Sequence, residues 1–158
     1  MARPGDTLEN PHTGERIVFR RTTAETGGEL LEFDQLWPRK GLRTPEHVHP
    51  EMEERWEVLE GTALFRIGGV ERTARTGDVI VAAPGIPHIG WNPSEAPVLL
   101  RVCFRPPLEW ERFMERLFTL AQEGRCDDQG NFEPEALRPL LRDFPREIAP
   151  ARPPPSPG

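Results

Sequence analysis

The chain has 158 residues, of which 36% are hydrophobic and 29% charged, a balance typical of one soluble globular domain. A net charge of -6 at pH 7 argues against the basic face that nucleic-acid binding requires. No apolar run approaches the roughly 20 residues that span a bilayer, and the first residues lack the apolar core of a signal peptide. We therefore expect a cytoplasmic protein without a membrane or nucleic-acid partner.

Residues 1–16 are polar and rich in turn formers, which predicts an N-terminal arm. From residue 17 to residue 105, short β-like runs are separated by turns, with a hairpin signal at Gly68-Gly69. The runs are IVFR, LLEFDQL, EHVH, RWEVL, TALFRI, ERTAR, DVIVA, HIGWN and VLLRVCFR. Many short strands at close spacing predict an all-β antiparallel sandwich or barrel.

Beyond the last predicted strand the pattern changes to helical spacing. Apolar residues recur every three or four positions through LEWERFMERLFTLAQEG, which predicts an amphipathic helix that ends at Gly124. PEALRPLLRDF predicts a second, shorter helix, so that residues 106–147 form a helical extension. The Pro-rich residues 148–158 are expected to be disordered. The apolar stripe of the first helix must pack on the outer surface of the barrel or on a partner subunit.

Two residue types that often transfer protons are scarce in this chain. Tyr is absent, and Lys40 is the only lysine. Since Arg does not deprotonate in proteins, proton transfer must involve carboxylates, His, water or a metal-bound ligand. Cys103 and Cys126 are too few for a disulfide framework and lack the close pairing of a cysteine-based zinc motif, so we interpret both as ordinary thiols.

The first cluster of candidate ligands lies in GLRTPEHVHPEMEERWEVLEG. His47 and His49 are two residues apart, so on a strand both rings point to one face. Strand parity separates the two carboxylates that follow, because Glu54 shares a face with the apolar Trp56, whereas Glu53 shares one with charged residues. Since the apolar face is the barrel interior, we expect Glu54 to point inward.

The second cluster reads GDVIVAAPGIPHIGWN, and its Pro-Gly-Ile-Pro bend sets His88 at the start of a strand. Three neutral imidazoles and one carboxylate suit a mid-to-late first-row divalent ion. We therefore predict one Fe, Mn, Ni, Cu or Zn ion per chain, with one or two open coordination positions and the ligands His47, His49, Glu54 and His88. His12 stands alone in the arm and is not expected to bind metal, since ligand histidines cluster.

Together the two clusters resemble the two conserved motifs of the cupin superfamily. The first fits the family pattern of Gly, five residues, His-x-His, four residues, Glu, six residues and Gly at every named position. The second departs from its pattern in one respect, because Pro84 lies one position later than the family's Pro. Residues 62–76 separate the motifs, a spacing similar to that of single-domain bacterial cupins. The resemblance implies a double-stranded β-helix, the cupin jelly-roll barrel, with metal at the four ligands.

Large aromatic residues on the predicted strands are mostly expected in the barrel core. Trp56 and Phe104 have inward parity and are candidates for lining a substrate pocket. Arg101 has the opposite parity to Phe104 and is expected outside or at an interface, because an unpaired buried charge is costly. The reverse parity would place Arg101 in the cavity and imply an anionic substrate.

Three functional hypotheses fit these residues. The first is a mononuclear metal-dependent enzyme acting on a small organic molecule. By family resemblance its leading form is dioxygenase-like, with an enolic or phenolic substrate, and its other form is a redox-neutral isomerase, lyase or cyclase that uses the metal as a Lewis acid. Glu54 partly released from the metal, or metal-bound hydroxide, is then the candidate catalytic base. The second hypothesis is a non-catalytic cupin that binds a small ligand, and the third is a structural His cluster without metal.

A homodimer is expected, because barrels of this type expose edge strands that a second chain often covers. The N-terminal arm and the apolar stripe of the first predicted helix offer further surfaces for such a contact. A small-molecule substrate or ligand is the other expected partner.

Overall fold

The computed structural model describes residues 1–41 and 45–151. Within these ranges the chain forms two antiparallel sheets and two helices. The strands are β1 (Thr7–Glu9), β2 (Arg16–Arg21), β3 (Leu31–Trp37), β4 (His47–Val48), β5 (Glu53–Glu60), β6 (Thr62–Ile67), β7 (Val70–Arg75), β8 (Val79–Ala82), β9 (His88–Trp91), β10 (Val98–Arg105) and β11 (Ala149–Pro150). The helices are α1 (Trp110–Gln122) and α2 (Pro134–Asp143). Among the described residues, no helix is both long and apolar enough to cross a membrane.

The strands lie in two sheets that face each other. One sheet has six strands in the order β1-β2-β3-β10-β5-β8, and the other has five in the order β11-β4-β9-β6-β7. Neighbours in each sheet pair antiparallel although most are distant in sequence, as in a jelly roll. The all-β double-stranded β-helix predicted from the sequence is therefore confirmed, together with its two C-terminal helices.

Alternation along the strands builds the core between the two sheets. On β5, Glu54, Trp56 and Val58 are buried while the residues between them are partly exposed, as period-two patterning requires. On β10, Phe104 is buried and its ring stacks on that of Phe33 at 6.1 Å between centroids. Glu54 therefore points into the core with Trp56, as the strand alternation in the sequence predicted.

Both ends of the chain are more ordered than the sequence suggested. In the predicted arm, β1 pairs with β2, and the backbone N–H of Ala2 donates to Oε1 of Glu111 on α1 at 2.9 Å. In the predicted disordered tail, β11 pairs with β4, which places Ala149 opposite Val48. A Pro-containing strand is tolerated there because β11 is an edge strand. Residues 152–158 of that tail lie outside the described residues.

Helix α1 packs on the barrel of its own chain. Its buried face carries Trp110, Phe113, Met114 and Phe118, which join the core cluster of the barrel, while Leu117 is only partly buried. The sequence allowed this stripe to pack on the barrel or on a partner subunit, and in the structure it packs on the barrel. The homodimer stays a prediction, and the arm and the stripe no longer support it because both are packed within the chain.

Gly61, in the turn between β5 and β6, provides a stability test. Its φ is +88°, and an added Cβ would lie 2.6 Å from the carbonyl oxygen of Pro97. Gly69 also has a positive φ, +84°, but no atom lies within 4 Å of its added Cβ. Gly69→Ala should cost about 1–2 kcal/mol for the left-handed backbone. Gly61→Ala should cost a further ~1–3 kcal/mol for the backbone clash. Urea unfolding measures both losses, and equal losses would show that the contact with Pro97 is not tight.

Candidate metal centre

Four side chains predicted as ligands meet at one end of the barrel, between the two sheets. His47 lies in β4, His49 directly after it, and His88 begins β9, all on the five-stranded side, whereas Glu54 comes from β5 of the six-stranded sheet. His47 and His88 face each other in the ladder between β4 and β9, and their ring centroids are 4.6 Å apart. One candidate ligand atom from each of the four residues lies within 4.8 Å of the others. The tertiary fold thus assembles the cluster that the two motifs predicted.

The cluster is covered by protein on most sides. His49 is 1% exposed, His88 2% and Glu54 8%, whereas His47 is only partly buried. Ionised or polar groups at this depth are costly unless they are paired with each other or with a cation. His47 is therefore the most exposed of the four side chains.

Each imidazole is held through its Nδ1 atom by a backbone carbonyl. Nδ1 of His47 lies 2.8 Å from the oxygen of Pro45, Nδ1 of His49 lies 2.7 Å from that of Glu147, and Nδ1 of His88 lies 2.9 Å from that of Ile86. Because a carbonyl oxygen only accepts, Nδ1 must carry the proton in each neutral ring. Nε2 is then left unprotonated on all three rings, which is the form that binds a metal.

The atoms that face one another in the cluster are mostly acceptors. Nε2 of His49 and Nε2 of His88 lie 2.9 Å and 3.1 Å from the same carboxylate oxygen, Oε2 of Glu54. Two lone pairs beside a carboxylate oxygen repel each other unless a proton or a metal ion lies between them. The donor set therefore fits a divalent cation, which would satisfy the four residues together.

Without a cation, a proton between an imidazole Nε2 and Glu54 takes its place, and the pKa shifts of the cluster reflect this. Burial opposes ionisation of Glu54, but its contacts with His49 and His88 outweigh burial and lower its pKa to about 2. Burial, aided by the neighbouring imidazoles, lowers the pKa of His47 to about 4. Burial also lowers the pKa of His88, but the contact with Glu54 is stronger and the net shift is upward. At neutral pH the cluster thus has an ionised carboxylate and an unprotonated His47, both of which are forms that bind metal.

Three aromatic rings surround the cluster. The centroid of Phe104 is 5.1 Å from that of His49, and the centroid of Trp56 is 5.4 Å from that of His88. The two residues selected from parity as pocket candidates therefore lie beside the predicted ligands. The third ring, Trp110 at the start of α1, is 4.9 Å from His49. Sequence reasoning placed Trp110 on the apolar stripe of a helix, and no local signal marked it as a neighbour of the cluster.

The indole of Trp110 is also unusual in its hydrogen bonding. Its Nε1 is buried and has no hydrogen-bond partner among the described residues. A buried donor without an acceptor costs about 1–3 kcal/mol, so an acceptor beside this ring would be stabilising.

The remaining candidate residues lie outside the cluster. Nε of Arg101 donates to Oδ1 of Asp34 at 2.9 Å, and Nε of Arg20 donates to Oδ2 of the same carboxylate at 2.8 Å. Arg101 is therefore paired on the outer side of the six-stranded sheet, and the reverse parity that would place it in the cavity does not occur. Nδ1 of His12 lies 3.5 Å from Oδ1 of Asp128, and His12 is not part of the cluster. Both cysteines are free and buried.

The chain was compared with family models, curated proteins and solved structures. A family model described as a cupin domain matches residues 35–104. No curated protein matches the chain. Among solved structures, the chain is similar to the TT1209 protein of Thermus thermophilus, with 26% identity and a TM-score of 0.51 over 66% of this chain and 90% of that chain.

Two further similar structures are of proteins with named activities. One is a sugar phosphate isomerase of the cupin superfamily from Silicibacter pomeroyi, with 20% identity and a TM-score of 0.50 over 58% of this chain and 59% of that chain. The other is a recombinant oxalate oxidase in complex with glycolate, with 23% identity and a TM-score of 0.50 over 60% of this chain and 52% of that chain. The chain spans less than two thirds of either, and the likeness is one of fold.

A metal titration of histidine variants tests the cluster. His49→Ala removes a ligand from a buried site, so we expect a wild-type content of about one ion per chain to fall below about one tenth of that value, since sites that lose a ligand bind far more weakly. His12→Ala is the matched control and should keep the wild-type content. Elemental analysis after dialysis against each divalent metal gives the readout. Equal content in all three proteins would contradict the site.

Proposed function

We propose that the protein is a mononuclear metal-dependent cupin with dioxygenase-like activity on a small organic molecule, since a cupin domain model matches residues 35–104. The observation that carries the proposal is the set of three Nδ1 hydrogen bonds to backbone carbonyls, which leaves three Nε2 lone pairs and one carboxylate for a divalent ion. When bound, the metal supplies a Lewis acid with open positions for substrate oxygens and O2. The protein would supply the four ligands and the aromatic side chains that surround them.

The surroundings of the cluster favour chemistry that occurs at the metal. The rings in contact with the ligands are those of Trp56, Phe104 and Trp110, which exclude water and strengthen electrostatic interactions inside. A redox-neutral isomerase or lyase usually needs an acid and a base placed around the substrate. Tyr is absent from the chain, and Lys40 lines a separate surface cavity with Pro38. This environment supports the dioxygenase-like form over the redox-neutral form and over a non-catalytic ligand-binding cupin.

Glu54 is the carboxylate that would accept a proton from the substrate. With a pKa of about 2 in the metal-free cluster it is ionised at neutral pH and is a weak base. A weak base deprotonates efficiently only a group whose own pKa is low or has been lowered. The enolic or phenolic substrate of this proposal rests on the likeness to cupins, and its hydroxyl would become more acidic next to a metal.

Oxygen consumption tests the proposed activity. Wild-type protein loaded in turn with Fe, Mn, Ni or Cu is offered a panel of small enols and catechols in an oxygen electrode. We expect uptake with at least one metal, and a loss of about 100-fold or more in kcat for Glu54→Gln, which removes both a predicted ligand and the candidate base. The Glu53→Gln variant is the control, since Glu53 is the outward neighbour and should be neutral. No uptake with any metal would favour the redox-neutral or ligand-binding alternatives.

The ring of Trp110 lies beside that of His49, and we propose that its buried, unpaired N–H donates to an acceptor atom of the bound molecule. We expect Trp110→Phe, which keeps an aromatic ring, to weaken azide binding to the cobalt-loaded protein by about 2- to 12-fold, the equivalent of one hydrogen bond. The metal content should not change. Visible absorption of the cobalt ion follows the titration, and Trp37→Phe, whose ring packs on Phe65, is the control. Equal azide affinities in all three proteins would assign Trp110 a packing role alone.

A further inference from the structure

We infer that the C-terminal segment, residues 144–151, is a structural part of the metal centre, so that metal binding and docking of this segment stabilise each other. The inference rests on the proposed metal site and adds a part of the chain that neither motif contains. The segment follows α2 and ends the described chain, more than 80 residues beyond the first motif.

The most direct link is a hydrogen bond between the segment and one predicted ligand. The carbonyl oxygen of Glu147 accepts Nδ1–H of His49 at 2.7 Å, across 98 residues of sequence. The equivalent carbonyls for His47 and His88 come from residues only two positions upstream of each ring. Two of the rings are therefore oriented by their own loops, whereas the orientation of His49 depends on the C-terminal segment being in place.

A second link supports the strand that carries the ligands. Strand β4 has only two residues and lies between β9 and β11, so the C-terminal segment provides one of its two neighbours. In this ladder Pro150 lies opposite His47. The backbone N–H of Ala151 also donates to the oxygen of Glu46 at 3.4 Å. Without β11, β4 would be a two-residue edge strand, which has little stability of its own.

Further contacts anchor the segment beside the cluster. The side chain of Ile148 packs against the barrel core, and the carboxylate of Glu147 accepts the backbone N–H of Glu109, next to Trp110, at 3.4 Å. Arg146 forms two hydrogen bonds with Glu51, at 2.8 Å and 3.1 Å. Since an exposed ion pair contributes little, the segment is held mainly by the buried Phe144 and Glu147 and by the partly buried Ile148.

Metal binding and docking of residues 144–151 must affect each other equally, because the two equilibria are thermodynamically linked. A hydrogen-bond partner of a ligating imidazole typically changes metal affinity by about 10- to 100-fold when it is lost. The same factor applies in the reverse direction, because a metal that prefers the docked segment must stabilise docking by the same free energy. Metal occupancy should therefore tighten residues 144–151 in the full-length protein.

A pair of truncations in the full-length chain tests this coupling. Ile148→Ala loosens the segment at the residue after Glu147, and Leu141→Ala removes a similar volume from another partly buried position, on α2. We expect Ile148→Ala to weaken zinc binding about tenfold and Leu141→Ala to change it less than about twofold. Competition with a chromogenic chelator measures both affinities, and circular dichroism confirms that both variants are folded. If Ile148→Ala and Leu141→Ala bind zinc with equal affinity, the inference is wrong.

Hydrogen exchange of the unmodified full-length protein gives an independent readout. Zinc binding should slow exchange of the amides of Ile148 and Ala151, which donate to Phe144 and Glu46, by about tenfold or more. The amides of α1 should change much less. Unchanged exchange at the segment, with zinc bound, overturns the inference. A wild-type protein that binds no zinc or other divalent metal contradicts the proposed function instead, so the two failures are distinguishable.

Discussion

The arrangement of protons around three imidazole rings determines what this barrel can bind. Each Nδ1–H is donated to a backbone carbonyl, and the second nitrogen of each ring is left as an acceptor. Glu54 adds a carboxylate that is ionised in spite of its burial. Acceptors cannot hydrogen-bond to one another, so the site is stable only with a proton or a cation among them. A divalent ion meets this requirement with four ligands, which is why the metal interpretation follows from geometry as well as from the motif.

The fold supports this arrangement by using both sheets. His47 and His88 belong to the five-stranded sheet, His49 follows its strand β4, and Glu54 belongs to the six-stranded sheet, so the cluster lies between the two sheets. Aromatic packing continues from the cluster into the core through Trp56 and Phe65, whose rings are 5.0 Å apart. The ligands are therefore fixed by core packing, and such rigidity is what a preorganised metal site needs.

The C-terminal extension completes the same site from outside the barrel. Its first helix places the indole of Trp110 against Phe104 and His49, and its last strand lies beside β4. The N-terminus is attached to the same helix, since the carboxylate of Glu111 accepts the backbone N–H groups of Ala2 and Thr23. Residues of the N-terminal arm and of the segment 144–151 thus both contact the start of the helix that covers the cluster.

The sequence by itself determined the antiparallel β architecture, the four candidate ligands and the inward orientation of Glu54, because these depend on local rules. Period-two alternation selected Glu54 over Glu53, and the His-x-His spacing placed two rings on one face. Only the tertiary structure decided the partner of His49, the contact of Trp110 with the cluster and the pairing of Arg101 with Asp34. These contacts join residues that are 61 to 98 positions apart, as with His49 and Glu147, and no local pattern specifies which distant backbone or side chain will arrive at a given ring.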